Sequence, residues 1–200
     1  MITSFAPLQP DRALILLLGT MPSVQSLQQQ QYYGNRQNHF WRLLFALWHL
    51  TPPDDYTQRC AFVVQKRIAL WDVLESCDRQ GSMDHAIRNA RANDIPALLC
   101  RQPGIRAVFF NSKNAERFFQ TLVAPRLPAQ VFARPLEFTT LPSSSPARAM
   151  AFEEKLRQWQ VVRSTLERLE KEEHSPGNRP IPQQPACFGN VSGCQKEGSP

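Results

Sequence analysis

Ala13-Leu14-Ile15-Leu16-Leu17-Leu18 runs without a polar side chain into Gly19-Thr20-Met21-Pro22-Ser23. An apolar run this short, bounded by a small-residue turn, reads as a strand buried on both faces. It is too short for a membrane span, which needs about 20 residues. Glycine and proline then end it abruptly. Soon after comes Tyr32-Tyr33-Gly34-Asn35-Arg36-Gln37-Asn38-His39-Phe40-Trp41. So many aromatic rings and amides in one loop describe a pocket that stacks a flat ligand and hydrogen-bonds its edge.

Working outward, residues 19–39 read as one long functional loop. Phe40, Trp41, Leu43, Leu44, Leu47 and Trp48 recur at helical spacing, and Thr51-Pro52-Pro53 stops that helix. A second helix is expected over 56–65, then a buried strand over 68–74 and a polar loop over 75–84. Asp84 is placed to open a helix over 84–92, and Asn93-Asp94-Ile95-Pro96 caps another over 95–101. A third strand over 105–110 ends at Asn111, and residues 114–122 are helical. Strands are expected at 130–133 and 138–141, the latter entering Pro142-Ser143-Ser144-Ser145-Pro146. A long amphipathic helix over 147–171 follows. Strands alternating with helices imply an α/β, doubly wound, parallel sheet flanked by helices. Ligands in such folds bind beyond the carboxyl ends of the strands. The 19–23 turn, Asn111 and the 142–146 loop all fall at such ends, so they converge on one crevice.

Two hundred residues with 42% hydrophobic side chains favour one domain, expected over 1–173. Residues 174–200 are rich in Pro, Gly, Ser and Gln and are expected to be a disordered tail. The formal charge of +6 is compatible with a polyanionic partner and equally with simple solubility. Asp11 and Arg12 precede the apolar run and no basic segment leads it, so neither a signal peptide nor a membrane protein is expected, and the predicted location is cytoplasmic. Cysteines 60, 77, 100, 187 and 194 show no closely spaced pair. That excludes the usual zinc spacing and a four-thiolate cluster, and Cys60, Cys77 and Cys100 read as small hydrophobes.

Taken in order, G-T-M-P-S (19–23), Y-Y-G-N-x-x-N-H-F-W (32–41), L-W-D-V-L-x-S-C-x-R-x-G-S-M-D (70–84), F-F-N (109–111) and L-P-S-S-S-P-A (141–147) resemble the hypoxanthine-DNA glycosylases, family 6 of the uracil-DNA glycosylase superfamily. The resemblance covers roughly residues 10–160. Members often carry Gly where Ser23 stands and Pro near Arg36. The resemblance implies a three-layer fold around a four-stranded parallel sheet. It also implies a monofunctional DNA N-glycosylase of base-excision repair that flips out a deaminated base, hypoxanthine foremost and also uracil, and leaves an abasic site. It implies no metal and no organic cofactor. The expected partner is DNA containing deaminated bases, with no membrane involved and the chain acting as a monomer. The alternative is a non-catalytic protein that binds damaged DNA with the same pocket; a nucleoside hydrolase is a third reading.

Asn38 is the catalytic residue that the resemblance implies. Its amide oxygen orients a water or faces the developing sugar cation, by positioning rather than as a base. From its position alone it reads as a cap of the helix at Phe40, and both roles stay open. Tyr33 is the candidate platform for the flipped base, with Phe40 or Tyr32 sharing the task. Phe40 equally reads as the core-facing start of a helix. Thr20 and Met21 occupy the turn that meets the base, where related branches carry Asp or Asn. No carboxylate lies between residues 12 and 53. Asn111 matches a lactam edge as donor and acceptor, or is a turn residue. Ser143, Ser144 and Ser145 suit a phosphate at a helix amino terminus. Arg148 contacts phosphate, probes the vacated stack, or sits on a solvated cap. Ser82 holds DNA or the pocket wall. Asp72, after an apolar strand, stabilises a buried loop or acts as an acid near the site.

Overall fold

The computed structural model describes residues 1–174. The chain begins β1 (Ile2–Thr3), β2 (Ile15–Gly19), α1 (Val24–Gln29), α2 (Phe40–Ala46), α3 (Tyr56–Gln65) and β3 (Ile68–Asp72). It continues β4 (Leu74–Asp78), β5 (Arg88–Ala92), α4 (Ile95–Arg101) and β6 (Ala107–Phe110). It then runs α5 (Lys113–Leu122), α6 (Ala129–Phe132), β7 (Glu137–Thr140) and α7 (Phe152–His174).

The main sheet has the order β3-β2-β6-β7, and every pairing in it is parallel. β2 is central and fully buried, which is why its sequence is a continuous apolar run rather than an alternation. The pleat sends Ile15 and Leu17 to one face, under Trp41, Phe62, Trp159 and Leu166 of α2, α3 and α7. Leu16 and Leu18 go to the other face, with Leu98, Leu99 and Phe119 of α4 and α5. Register carries Leu18 between Trp71 and Phe110, so the carboxyl ends of β2, β3 and β6 lie level. The chain leaves β2 first toward β3 and later returns to the other side at β6. This topological switch point opens a crevice where Gly19 ends its strand.

The helix α7 closes the fold with Lys155, Trp159, Val162, Leu166 and Leu169 on one buried stripe, at the three-and-four spacing of a core-facing helix. A small antiparallel sheet, β1-β4-β5, flanks the main one.

The predicted sheet, its flanking helices and the helices at 56–65, 95–101 and 114–122 correspond to observed elements. Several local expectations do not. The 19–39 loop contains α1, capped by Ser23, whose Oγ accepts the Ser26 N–H at 3.2 Å. The 75–84 segment is β4 as far as Asp78, not a loop, because β1 and β5 supply hydrogen-bonding edges distant in sequence. The expected helix over 84–92 is a single 3₁₀ turn, Asp84–Ala86, followed by β5; Asp84 turns inward instead of capping a helix. The expected strand at 130–133 is α6, one turn that buries Val131 against the core. The helix from Phe40 ends at Ala46, with His49 at φ +58° reversing the chain. The last helix starts at Phe152 rather than 147, since residues 142–150 are held in turns by their own serines. The tail expected beyond residue 174 lies outside the described residues. Cys60, Cys77 and Cys100 are free thiols, with Cys77 buried. Among the described residues no helix is long and apolar enough to cross a membrane.

Candidate active site

A cleft of about 380 Å³ opens at the carboxyl ends of β2, β3 and β6. Thr20, Met21, Tyr33, Asn38, Asn111, Ser82, Ser143, Ser144, Ser145 and Arg148 all line it. The structure thus brings together every proposed site residue but Phe40, which is fully buried behind Tyr33. The two rings stack at 3.7 Å and 9°, so Phe40 backs the platform instead of forming the wall. Phe40 is drawn inward because it opens the core face of α2, edge-on to Trp41 and Trp159. Tyr32 lines the cleft but sends its hydroxyl to the Ala6 carbonyl.

The platform is held by backbone geometry. Tyr33 sits at φ +52°, a left-handed conformation that a bulky residue adopts only under tertiary constraint. The following turn needs no proline. Asn35 Oδ1 accepts the Gln37 N–H at 2.9 Å, and the Asn35 carbonyl accepts the Asn38 N–H at 2.9 Å. Asn38 Oδ1 in turn accepts the Phe40 N–H at 3.0 Å, satisfying a free donor at the start of α2. The cap read from the sequence is displaced by one residue: His39 holds the cap position of α2 without a side-chain bond, and Asn38 closes a turn onto the first helical N–H. This turn pins the amide while leaving its N–H₂ group and one oxygen lone pair uncommitted in that bond.

Asn111 is buried, and its amide is engaged within the protein. Nδ2 donates to Tyr33 Oη at 3.0 Å and to Ser144 Oγ at 2.8 Å, while Oδ1 accepts the Ser144 N–H at 3.0 Å. Ser144 also accepts the His39 N–H on its carbonyl at 2.9 Å. This one serine ties the end of β6, the serine loop and the start of α2 together. Ser144 is fully buried, so it holds the loop and has no surface for a phosphate. Nor does a helix amino terminus stand behind the serines: Ser143 Oγ and Ser145 Oγ accept N–H groups of their own turn. Lys155, fully buried on α7, donates from Nζ to the Ser145 carbonyl at 3.1 Å. Burial and the neighbouring Arg148 hold that ammonium below the usual lysine range. Arg148 itself is exposed at the cleft mouth.

On the opposite wall Ser82 Oγ accepts the Val24 N–H at 3.0 Å, so it builds the wall by joining its loop to α1. Thr20 Oγ1 donates to Asp84 Oδ2 at 2.9 Å. The Thr20 carbonyl accepts the Leu74 N–H at 3.1 Å, which fixes the turn against the start of β4.

The turn at 19–23 carries no acid of its own, yet two carboxylates reach it from elsewhere. Asp84 is one, through Thr20. Asp72 is the other: it ends β3 in register with Gly19, is 4% exposed, and lines the cleft. Its Oδ2 is buried without a hydrogen-bond partner among the described residues. Burial first, then repulsion from Asp84, pushes its carboxyl up to about 7, against an opposing pull from Arg79. The sequence held a signal for it. A lone acid closing Ile68-Ala69-Leu70-Trp71 stands at a strand's carboxyl end, as Gly19 and Asn111 do.

The chain is similar to known proteins along most of its length. The family model of the uracil DNA glycosylase superfamily matches residues 6–169. A Methanosarcina acetivorans protein named hypoxanthine DNA glycosylase is 32% identical over 159 residues, spanning 79% of this chain and 95% of that protein. One of the same name from Methanosarcina barkeri is 31% identical over 115 residues, spanning 57% of this chain and 73% of its own. The solution NMR structure of a Methanosarcina acetivorans protein described as a uracil DNA glycosylase superposes with a TM-score of 0.65 at 31% identity. That superposition covers 84% of this chain and 98% of the other.

Proposed function

The chain belongs to the uracil DNA glycosylase superfamily, and from that premise we propose that it is a monofunctional DNA N-glycosylase. It flips a deaminated base out of the stack, hypoxanthine foremost and also uracil, and hydrolyses its glycosidic bond to leave an abasic site. The observation that carries this reading is the cleft at the switch point, where Tyr33, Asn38 and Asn111 converge from separate segments. The names of the two Methanosarcina relatives support the choice of base.

Extruding a base costs a few kcal/mol of lost stacking and pairing, which contacts in the pocket offset. Tyr33, braced by Phe40, supplies the stacking face. Asn38 is the catalytic residue. Its oxygen is already fixed by the Phe40 N–H, and the remaining lone pair orients a water toward C1′. An amide does not ionise at neutral pH, so its contribution is alignment and electrostatic stabilisation of the sugar cation. Asn111 acts by holding Tyr33 and the serine loop in place; Arg148 at the mouth contacts the phosphate backbone. In this reading the chain acts on DNA as a monomer, in the cytoplasm.

The test is base excision from duplexes holding one hypoxanthine, uracil, xanthine or ethenoadenine, followed by alkaline cleavage. Release from the hypoxanthine duplex is expected, with Asn38→Ala losing most of it while its thermal unfolding stays within a few degrees. Full activity of Asn38→Ala sinks the assignment of that residue. Tight DNA binding without any abasic site favours a damage-binding protein instead.

A further inference from the structure

The serine loop over 142–148 hangs from three tethers. Trp159 Nε1 of α7 donates to the Pro142 carbonyl at 3.0 Å, where the loop begins. Asn111 grips Ser144 in its middle. Lys155 Nζ donates to the Ser145 carbonyl at 3.1 Å, and that carbonyl also accepts the Arg148 N–H at 3.1 Å to close the turn. The first two tethers are neutral groups. The third is a cation, which is a costly way to make one more hydrogen bond in a buried place.

Lys155 is fully buried on the stripe of α7 that carries Trp159, Val162 and Leu166. Buried charges are normally paired. Among the described residues no carboxylate pairs with this one. Its hydrogen-bond acceptor is a neutral carbonyl, and the groups around it are basic. Burial first, then Arg148 on the loop, holds the ammonium below the usual lysine range. His39, ahead of α2, is lowered by burial, then by Lys155 and Arg42. Arg42 lies 4.7 Å over the Phe152 ring. On α7 itself Glu154 is taken by Arg157 and Gln158.

The other side of the loop is equipped for an anion. Ser143 and Ser145 line the cleft, and each Oγ accepts an N–H of its own turn, which leaves its O–H to donate. Arg148 is exposed beside them at the mouth. When a nucleotide swings into the cleft its backbone follows, so phosphate is the anion that DNA brings to this rim.

Resting on the glycosylase reading above, we propose that Lys155 is a positioning residue for DNA: from beneath the serine loop, its charge holds a backbone phosphate of the flipped nucleotide against Ser143, Ser145 and Arg148. It acts through the Ser145 peptide and does not touch the phosphate. By drawing the Ser145 carbonyl inward, the ammonium turns the negative end of that peptide away from the anion. A charge under the loop is also screened far less by salt than one in solvent. The sequence led to the expectation of a helix amino terminus behind the serines. A whole positive charge stands there instead. The unpaired cation costs the fold stability, and a phosphate on the loop relieves that cost, which adds to the affinity for DNA.

The experiment measures duplex affinity against salt for the wild type, Lys155→Met and Lys155→Gln. Unfolding midpoints and single-turnover excision at saturating hypoxanthine duplex are measured in parallel. Lys155→Met fills a similar volume without charge, so its midpoint should equal or exceed that of the wild type. Its affinity at low salt should fall on the order of tenfold, on lesion and undamaged duplexes alike. The slope of log affinity against log salt should shrink by about 1, while the rate at saturating duplex falls much less than the affinity. Lys155→Gln keeps an N–H donor for the Ser145 carbonyl and lacks the charge, so it should lose affinity as Lys155→Met does. Wild-type affinity and slope in Lys155→Gln would reduce Lys155 to a tether and overturn the proposal. So would a Lys155→Met that loses stability with no change of slope, or unfolding of both variants, since the charge is held to be dispensable to the fold. A wild type that binds duplex yet releases no base overturns the glycosylase reading and leaves Lys155 to be decided by the salt slopes. A wild type that binds no duplex overturns both.

Discussion

Replacing Asp72 by Asn should stabilise the fold increasingly as pH rises. In the folded chain the carboxyl is pushed from 3.8 to about 7. Between these values the folded state keeps a proton that the unfolded state has released. Raising pH through that window therefore favours unfolding, and the loss is complete once pH exceeds the folded value. Each unit corresponds to about 1.36 kcal/mol. A rise of about three units makes the penalty on the order of 4 kcal/mol at pH 8, and nearly nothing at pH 4. Burial is the first cause and Asp84 the second, with Arg79 opposing. The amide carries neither charge nor titration, so the variant escapes this penalty. Urea unfolding of both proteins at intervals from pH 4 to 8 measures it. The stability gap in favour of the variant should widen by roughly 4 kcal/mol across that range, mostly below pH 7. A gap that stays constant within about 1 kcal/mol would mean that Asp72 titrates normally, and the reasoning from burial would be refuted.

Two other perturbations read different parts of the cleft. Ser144→Ala removes the acceptor of the Asn111 N–H at 2.8 Å and leaves a buried donor unpaired. It should cost about 1–3 kcal/mol in thermal or urea unfolding and loosen the tie between Tyr33 and the serine loop; an unchanged midpoint would deny Ser144 that role. Arg148→Ala should weaken binding to every duplex alike, reducing the slope of log affinity against log salt by about 1. A loss confined to lesion-bearing duplexes would point instead to a contact with the vacated stack.

The sheet was legible because its signal is local and strong. Ala13–Leu18, Ile68–Asp72 and 105–110 are short apolar runs, and only strands covered on both faces by helices read that way. The three short strands of the antiparallel sheet beside it were not legible. Arg88–Ala92 has no apolar period, and it becomes a strand only because β4 offers it an edge. The α6 segment failed for a related reason. Four residues carry no distinguishing period, and packing of Val131 chose the helix.

By itself, then, the order of residues determined the α/β class, the strand ends that frame the crevice, and the motif residues gathered there. Those follow from apolar runs, turn residues and chain order, all of which are properties of neighbours in sequence. Only the tertiary structure decided which side chains are free to act. It turned Phe40 behind Tyr33, spent Asn111 and Ser144 on each other, and carried Asp72 from the neighbouring strand to the bare backbone of Gly19. Hydrogen-bond capacity and desolvation are set by neighbours in space. A turn that carries no acid in the sequence can therefore hold one in the fold.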